Sequence, residues 1–250
     1  MLNNKRVAVV TGASGGIGKA IVNRLIEDGH FVIGLDQSET IIQFMEECGG
    51  AYEIVDISNP KAVEACFYSI ISNNKRIEIL VNNASIVNNI SATAKMEVEK
   101  WQREINVNLN GTFYCTKLAL IEMMKQRWGR IINMSSTAAL GGLDRQPAYS
   151  ASKAGIIGLT KNVALEYGEF GITSNAILPG LINTENVKKM PEQIKDGVIQ
   201  LTPAKRLGLP EEIASLVSFL ASDKASFING AQIPVDGGAH LNPVTLARMK

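Results

Sequence analysis

Short apolar runs alternate with helix-like segments along almost the whole chain, and the first such junction is built of glycine. The short run at 6–10, apolar after Arg6, leads into Thr11-Gly12-Ala13-Ser14-Gly15-Gly16-Ile17-Gly18. Beyond that turn, Ala20, Ile21, Leu25 and Ile26 recur at helical spacing over 18–28, and Gly29 marks a stop. The same grammar repeats. Strand-like runs fall at 31–35, 51–55, 77–81, 130–134, 172–178 and 232–235, and helix-like segments at 39–48, 59–72, 97–106, 111–126, 148–167 and 211–221. Strands that each return through a helix pair in parallel and bury both faces. Right-handed crossovers then predict a doubly wound, seven-stranded parallel α/β sheet, with residues 1–250 as a single domain. The exception is 181–209, which has no clear apolar period. A long irregular insert at the carboxyl end of a sheet reads as a substrate lid, and a plain surface loop is the alternative.

Composition narrows the function. The 250 residues are 46% hydrophobic, enough for a large core, and carry 25 basic against 24 acidic side chains. That balance gives no general field for nucleic acid or an acidic membrane. Cys48, Cys66 and Cys115 have no metal-like spacing, and His30 and His240 are the chain's only histidines. No transition-metal site is expected, and reduced thiols fit a cytoplasmic protein. Residues 1–6 run straight into the first strand, and no apolar run reaches membrane-spanning length.

The glycine turn lies between a strand and a helix. Glycines there let the backbone approach a pyrophosphate, and the helix N-terminus adds unpaired amides and a positive dipole end. Asp36 ends the second strand, about 20 residues further on, where a dinucleotide site needs an acceptor for ribose hydroxyls. Its charge repels a 2′-phosphate, and neither Gly15 nor Gln37 is a cation that offsets this. The expected cofactor is NAD(H).

Tyr149 stands four residues before Lys153 in a helix-like segment, so both lie on one face. A phenol normally loses its proton only near pH ~10. A close ammonium favours the phenolate and makes such a tyrosine usable in acid–base catalysis near neutrality. Ser136 lies thirteen residues upstream, just past the fifth strand, and Asn108 further back. No G-x-S-x-G turn occurs beside a histidine, which disfavours a hydrolase.

Together these residues resemble the short-chain dehydrogenase/reductase family in its Rossmann-type form of about this length. Gly12–Gly18 looks like the family's TGxxxGxG. Asn82-Asn83-Ala84-Ser85 resembles its NNAG, with Ser85 in place of the last glycine. Asp56-Ile57 looks like its adenine contact, and Pro179-Gly180 with Ile182 and Thr184 like the segment holding the nicotinamide carboxamide. The resemblance implies that Asn108, Ser136, Tyr149 and Lys153 are catalytic. Tyr149 moves the proton, Lys153 keeps it acidic and holds the nicotinamide ribose, Ser136 orients the substrate oxygen, and Asn108 holds a water leading to solvent.

The implied reaction is hydride transfer between NAD(H) and a secondary alcohol or ketone. An NADPH-dependent 3-oxoacyl thioester reductase is the alternative, since the related 3-oxoacyl carrier-protein reductases commonly use NADPH. A non-catalytic dinucleotide-binding subunit is the alternative from another class. The substrate is expected against 86–90, 137–146 and 181–190, where Val87, Leu140, Leu143, Leu181, Ile182 and Met190 suggest an apolar pocket and Arg145 is the only cation of the middle segment. Asp144 beside it favours a solvated pair over an anion site. The resemblance also implies a homotetramer, with 211–221 and 232–235 forming one interface and 97–106 with 111–126 another. Ile213, Leu216, Val217 and Leu220 equally suit a role in the core.

Overall fold

The computed structural model describes residues 5–74, 76–87 and 89–241. Seven parallel strands form one sheet: β1 (Val7–Thr11), β2 (Phe31–Asp36), β3 (Ala51–Ile54), β4 (Ile79–Asn82), β5 (Gly129–Met134), β6 (Ile172–Pro179) and β7 (Gln232–Val235), in the order β3-β2-β1-β4-β5-β6-β7. The order reverses between β1 and β4. A crevice therefore opens at the carboxyl ends of those two strands, where open α/β sheets bind ligands.

The main covering helices are α1 (Gly16–Glu27), α2 (Thr40–Cys48), α3 (Pro60–Asn74), α4 (Val98–Ile105), α5 (Gly111–Gln126), α6 (Ala138–Gly141), α7 (Pro147–Tyr167), α8 (Glu185–Lys188), α9 (Glu192–Leu201) and α10 (Pro210–Ala221). Strand alternation assigns their faces. In β1, Ala8 and Val10 pack with Ile21 and Leu25 of α1, Met45 of α2 and Val217 of α10. Val7 and Val9 pack on the other face with Phe67 of α3, Met123 of α5 and Val163 of α7. A doubly wound sheet with helices on both faces results, as the sequence predicts.

Two segments differ from the sequence reading. The irregular insert 181–209 contains α8 and α9. Ile194, Val198 and Leu201 recur at helical spacing along α9, but none of its residues is fully buried, so the helix lies on the surface and its short period is easily overlooked. The gap read between two separate helices is one turn of π-helix, Asn106–Asn110, which joins α4 to α5 without a break. A π-turn inserts one residue and re-aims the side chains beside it. In α10, Ile213, Val217 and Leu220 are fully buried and serve the core.

The middle of the sheet carries a buried polar chain. Asn82 of β4 donates to Asn133 of β5 at 2.8 Å and to Thr116 of α5 at 3.0 Å. Asn133 in turn donates to Thr160 of α7 at 2.9 Å. Each group is nearly sealed from water, so the chain ties two strands and two helices at one level of the sheet. Asn133→Ala takes one partner each from Asn82 and Thr160, which keep Thr116 and the Ile156 carbonyl respectively. The expected cost is about 2 kcal/mol, read as a fall of roughly 4–8 °C in the thermal midpoint. A midpoint within 1 °C of wild type removes the network from the account.

Candidate active site

The glycine turn is shaped by what it touches. Gly12 takes φ +64°, and a β-carbon there would lie 2.7 Å from Ala84 Cα. A β-carbon at Gly18 would lie 2.1 Å from the Gly12 carbonyl oxygen. Asn83 stitches this turn to the end of β4, donating from Nδ2 to the carbonyls of Thr11 and Gly12 at 3.0 Å each. Thr11 Oγ1 receives the amides of Asn83 and Ala84, also at 3.0 Å.

A cleft of about 530 Å³ opens here, at the crevice between β1 and β4. Of the residues predicted to bind the dinucleotide, Gly12, Ser14, Gly15, Gly16, Ile17, Gly18, Asp36, Asp56, Ile57, Asn83, Ala84, Ser85 and Thr184 line it. The turn, the exposed N-terminus of α1 and a carboxylate at the far wall fit a dinucleotide's pyrophosphate and ribose. Asp36 is held in place: Oδ2 accepts from the Ser14 amide at 3.0 Å and the Ser14 hydroxyl at 2.7 Å, and Oδ1 from the Ser38 amide at 3.1 Å.

The cleft also holds residues that the sequence reading missed, among them Lys19, Glu185 and Asn186. Lys19 stands four residues after Gly15, one helical turn along α1, and that spacing alone places it on the cleft side. Its ammonium lies 5.1 Å over the Phe44 ring. Thr184 caps α8 and sits against the turn, since a β-carbon at Gly16 would lie 2.9 Å from Thr184 Cβ.

Five predicted cofactor residues lie outside this lining: Tyr149 and Lys153, described below, and Pro179, Gly180 and Ile182. Pro179 and Gly180 end β6 further along the same edge. The Ile182 side chain is 4% exposed and packs into the core, beside a strand-like bridge to Gly208. An apolar side chain finds more favourable surroundings there than in a polar cleft.

Three of the four predicted catalytic residues, Ser136, Tyr149 and Lys153, come together, and Asn108 bonds Ser152 beside them. Lys153, on α7, is 2% exposed, and its Nζ donates to the Met134 carbonyl at the end of β5 at 2.8 Å. The ammonium lies 5.5 Å from the centre of the Tyr149 ring. Ser136 hydrogen-bonds the Tyr149 hydroxyl, and its own oxygen accepts the Ala138 amide at 3.1 Å. Ser135 points away, donating to the Lys153 carbonyl at 2.8 Å. Ser152 is fully buried and donates to the Tyr149 carbonyl at 2.7 Å, a helix-packing role.

Electrostatics depart from the sequence expectation. Burial raises the Tyr149 phenol above its ordinary value, the Ser136 hydrogen bond offsets part of this, and the Glu104 carboxylate raises it further. Burial also brings the Lys153 ammonium itself down, to about 7. Near neutrality the lysine is only partly charged. Asn108 Oδ1 accepts the Ile86 amide at 2.8 Å, and its Nδ2 donates to the Ile86 carbonyl at 2.9 Å and to Ser152 at 3.3 Å. Its side chain thus ties the segment after β4 to α7.

On the predicted substrate side, Leu143 and Leu140 are about half exposed, at 48% and 51%. Met190 is partly buried just past α8. Arg145 is exposed and takes φ +59°, with its carbonyl accepting the Ser91 amide at 2.7 Å. It makes no ion pair with Asp144 among the described residues. Those residues also hold no group of three metal-ligating side chains and no helix long and apolar enough to cross a membrane.

Two outcomes follow from these groups. Lys153 binds its proton more weakly folded than unfolded, so its contribution to stability is full above its unfolded pKa and falls as pH drops toward about 7. Between pH 7 and 9, wild type should gain on the order of 2 kcal/mol over Lys153→Met in denaturant unfolding; a pH-independent difference contradicts the burial argument. Ser136→Ala should move the phenol's ionisation upward, read as a rise in the lower limb of the pH profile for alcohol oxidation. An unmoved limb argues against the Ser136–Tyr149 bond.

Comparison with known proteins agrees with this arrangement. A family model described as enoyl-(acyl carrier protein) reductase matches residues 12–240. The 3-oxoacyl-[acyl-carrier-protein] reductase FabG of Vibrio cholerae is 40% identical over 239 residues, covering 94% of this chain and 98% of its own. The corresponding MabA of Mycobacterium tuberculosis is 39% identical over 238 residues, covering 93% and 92%. Among solved structures, levodione reductase superposes with a TM-score of 0.88 at 33% identity, covering 94% and 97%. The chain is an oxidoreductase and belongs to the short-chain dehydrogenase/reductase family.

Proposed function

We propose that this protein reduces the 3-oxo group of an acyl thioester to a 3-hydroxyacyl thioester, with NADH as hydride donor. The observation that carries the reaction type is the Tyr149 phenol, bonded to Ser136 and set over buried Lys153. A ketone is the simplest acceptor for such a group, and the 3-oxo carbon is a ketone. The thioester class is supported by the relatives, whose names give 3-oxoacyl carrier-protein substrates. The half-exposed Leu140, Leu143 and Val87 offer apolar surface for an acyl chain.

When bound, the reduced nicotinamide supplies the hydride, and the protein's task is to position and to move a proton. Ser136 and Tyr149 hydrogen-bond the ketone oxygen. As the hydride reaches carbon, the C=O π pair moves onto oxygen, which takes the proton as the Tyr149 O–H bond breaks. Lys153 stands behind the resulting phenolate and is able to return a proton to it. A phenol held protonated by burial suits this direction. Such positioned proton transfer contributes about 10²–10⁴-fold.

NADH over NADPH rests on Asp36, fixed in the cleft by Ser14 and Ser38. The second reading is NADPH, favoured by the Lys19 cation in the same cleft. A cytoplasmic location accords with free Cys48, Cys66 and Cys115, the Cys66 thiol being pushed up to about 12 by burial. A homotetramer accords with exposed Val98 and Trp101 on α4, Phe113 and Ile121 on α5, and Phe219 on α10.

Purified protein with acetoacetyl-coenzyme A should oxidise NADH, and Tyr149→Phe should lose at least about 10²-fold in kcat while retaining NADH binding. A phenylalanine variant with most of its activity sinks the proton-donor assignment. NADPH binding as tight as NADH in a fluorescence titration sinks the cofactor reading, and monomers in sedimentation the tetramer.

A further inference from the structure

A buried carboxylate, Glu104, lies beside the site with no part in the proton transfer just described. It is 1% exposed, near the end of α4. Its Oε1 accepts both the amide and the Nδ2 of Asn89, each at 3.2 Å. Asn108 stands four residues on, so the two lie on one face. Asn108 grips the same segment at Ile86, through both its side-chain oxygen and nitrogen. The far end is fastened as well, where the Ser91 amide meets the Arg145 carbonyl at 2.7 Å. The segment after β4 is thus held at three points, two of them from one turn of helix packed against α7.

We infer that Glu104 is a positioning residue of this enzyme: its carboxylate fixes the segment after β4 at Asn89 as the substrate-side wall of the site. The inference rests on the proposed reading of Tyr149 and of that wall. A backbone amide and a side-chain amide converging on one oxygen leave the segment little freedom to rotate, which an apolar side chain at 104 would not achieve. The carboxylate brings a second effect. The groups acting on the Tyr149 hydroxyl are Ser136 from the end of β5 and Glu104 from α4, with Lys153 facing the ring from α7 itself. Glu104 opposes phenolate formation, so it favours the tyrosine as a donor to a carbonyl over its use as a base.

Two variants separate the parts. Glu104→Gln keeps an acceptor for Asn89 and removes the charge. Glu104→Leu removes both, and replacing a buried charge by an apolar group is often tolerated by the fold. With acetoacetyl-coenzyme A, Glu104→Leu should raise the substrate KM about tenfold with NADH affinity within about twofold. Glu104→Gln should keep KM near wild type but lower the pH at which the Tyr149 phenolate appears, read as absorbance near 295 nm against Tyr149→Phe. Exchange of the Asn89 amide by NMR, which needs no substrate, should quicken about tenfold in Glu104→Leu and stay near wild type in Glu104→Gln. If wild type does not turn over the thioester, the substrate reading fails while the exchange and phenolate measurements still decide this one. Unchanged exchange in Glu104→Leu, or an unmoved phenolate in Glu104→Gln, overturns it.

Discussion

Everything at the reaction end of this molecule hangs on a lysine that has been taken out of water. Lys153 is 2% exposed and spends one proton on the Met134 carbonyl, so α7 is anchored to the last residue of β5 through a single side chain. Desolvating an ammonium is costly, and the structure meets that cost by lowering its proton affinity to about 7. The consequence is chemical. A lysine poised near neutrality is able both to hold a proton and to give one up, which a fully hydrated lysine does poorly. Tyr149 sits one turn earlier on the same helix, raised by burial and pulled back by Ser136. Neither group has its ordinary acidity, and both shifts come from the same exclusion of water.

The sheet supplies the rigidity that this needs. The crevice at the reversal of strand order gives a binding edge, and Asn83 with Thr11 fixes the glycine turn against β4. Below that edge, Asn82 and Asn133 lock β4 to β5 inside the core. The π-turn between α4 and α5 then aims Asn108 at both Ile86 and Ser152. Backbone, cleft and proton-handling groups are therefore parts of one hydrogen-bonded frame, and not side chains set on mobile loops.

Much of this was legible in the sequence, for identifiable reasons. Fully buried strands read as apolar runs, and the glycine turn announces itself because Gly12 and Gly18 tolerate no β-carbon. Asn108, Ser136, Tyr149 and Lys153 were recognisable by their resemblance to the family's motifs; Ser136, Tyr149 and Lys153 lie together, and Asn108 bonds Ile86 and Ser152 beside them. What escaped notice escaped for want of a pattern. α9 has a stripe of only Ile194, Val198 and Leu201, none of it fully buried. The π-turn follows from packing, not from propensity. Lys19 was findable by helical spacing from Gly15. The direction of the Tyr149 and Lys153 shifts was not, because a Tyr-x-x-x-Lys pair gives proximity and says nothing of burial.

The central claim is that Lys153 is desolvated enough to titrate near neutrality beside the phenol. The direct measurement is an NMR titration of protein labelled at the lysine ε-carbon, with the Lys153 signal assigned by its loss in Lys153→Met. A midpoint near pH 7 is the predicted result. A midpoint above about 10, the ordinary range of a hydrated lysine, would contradict the account.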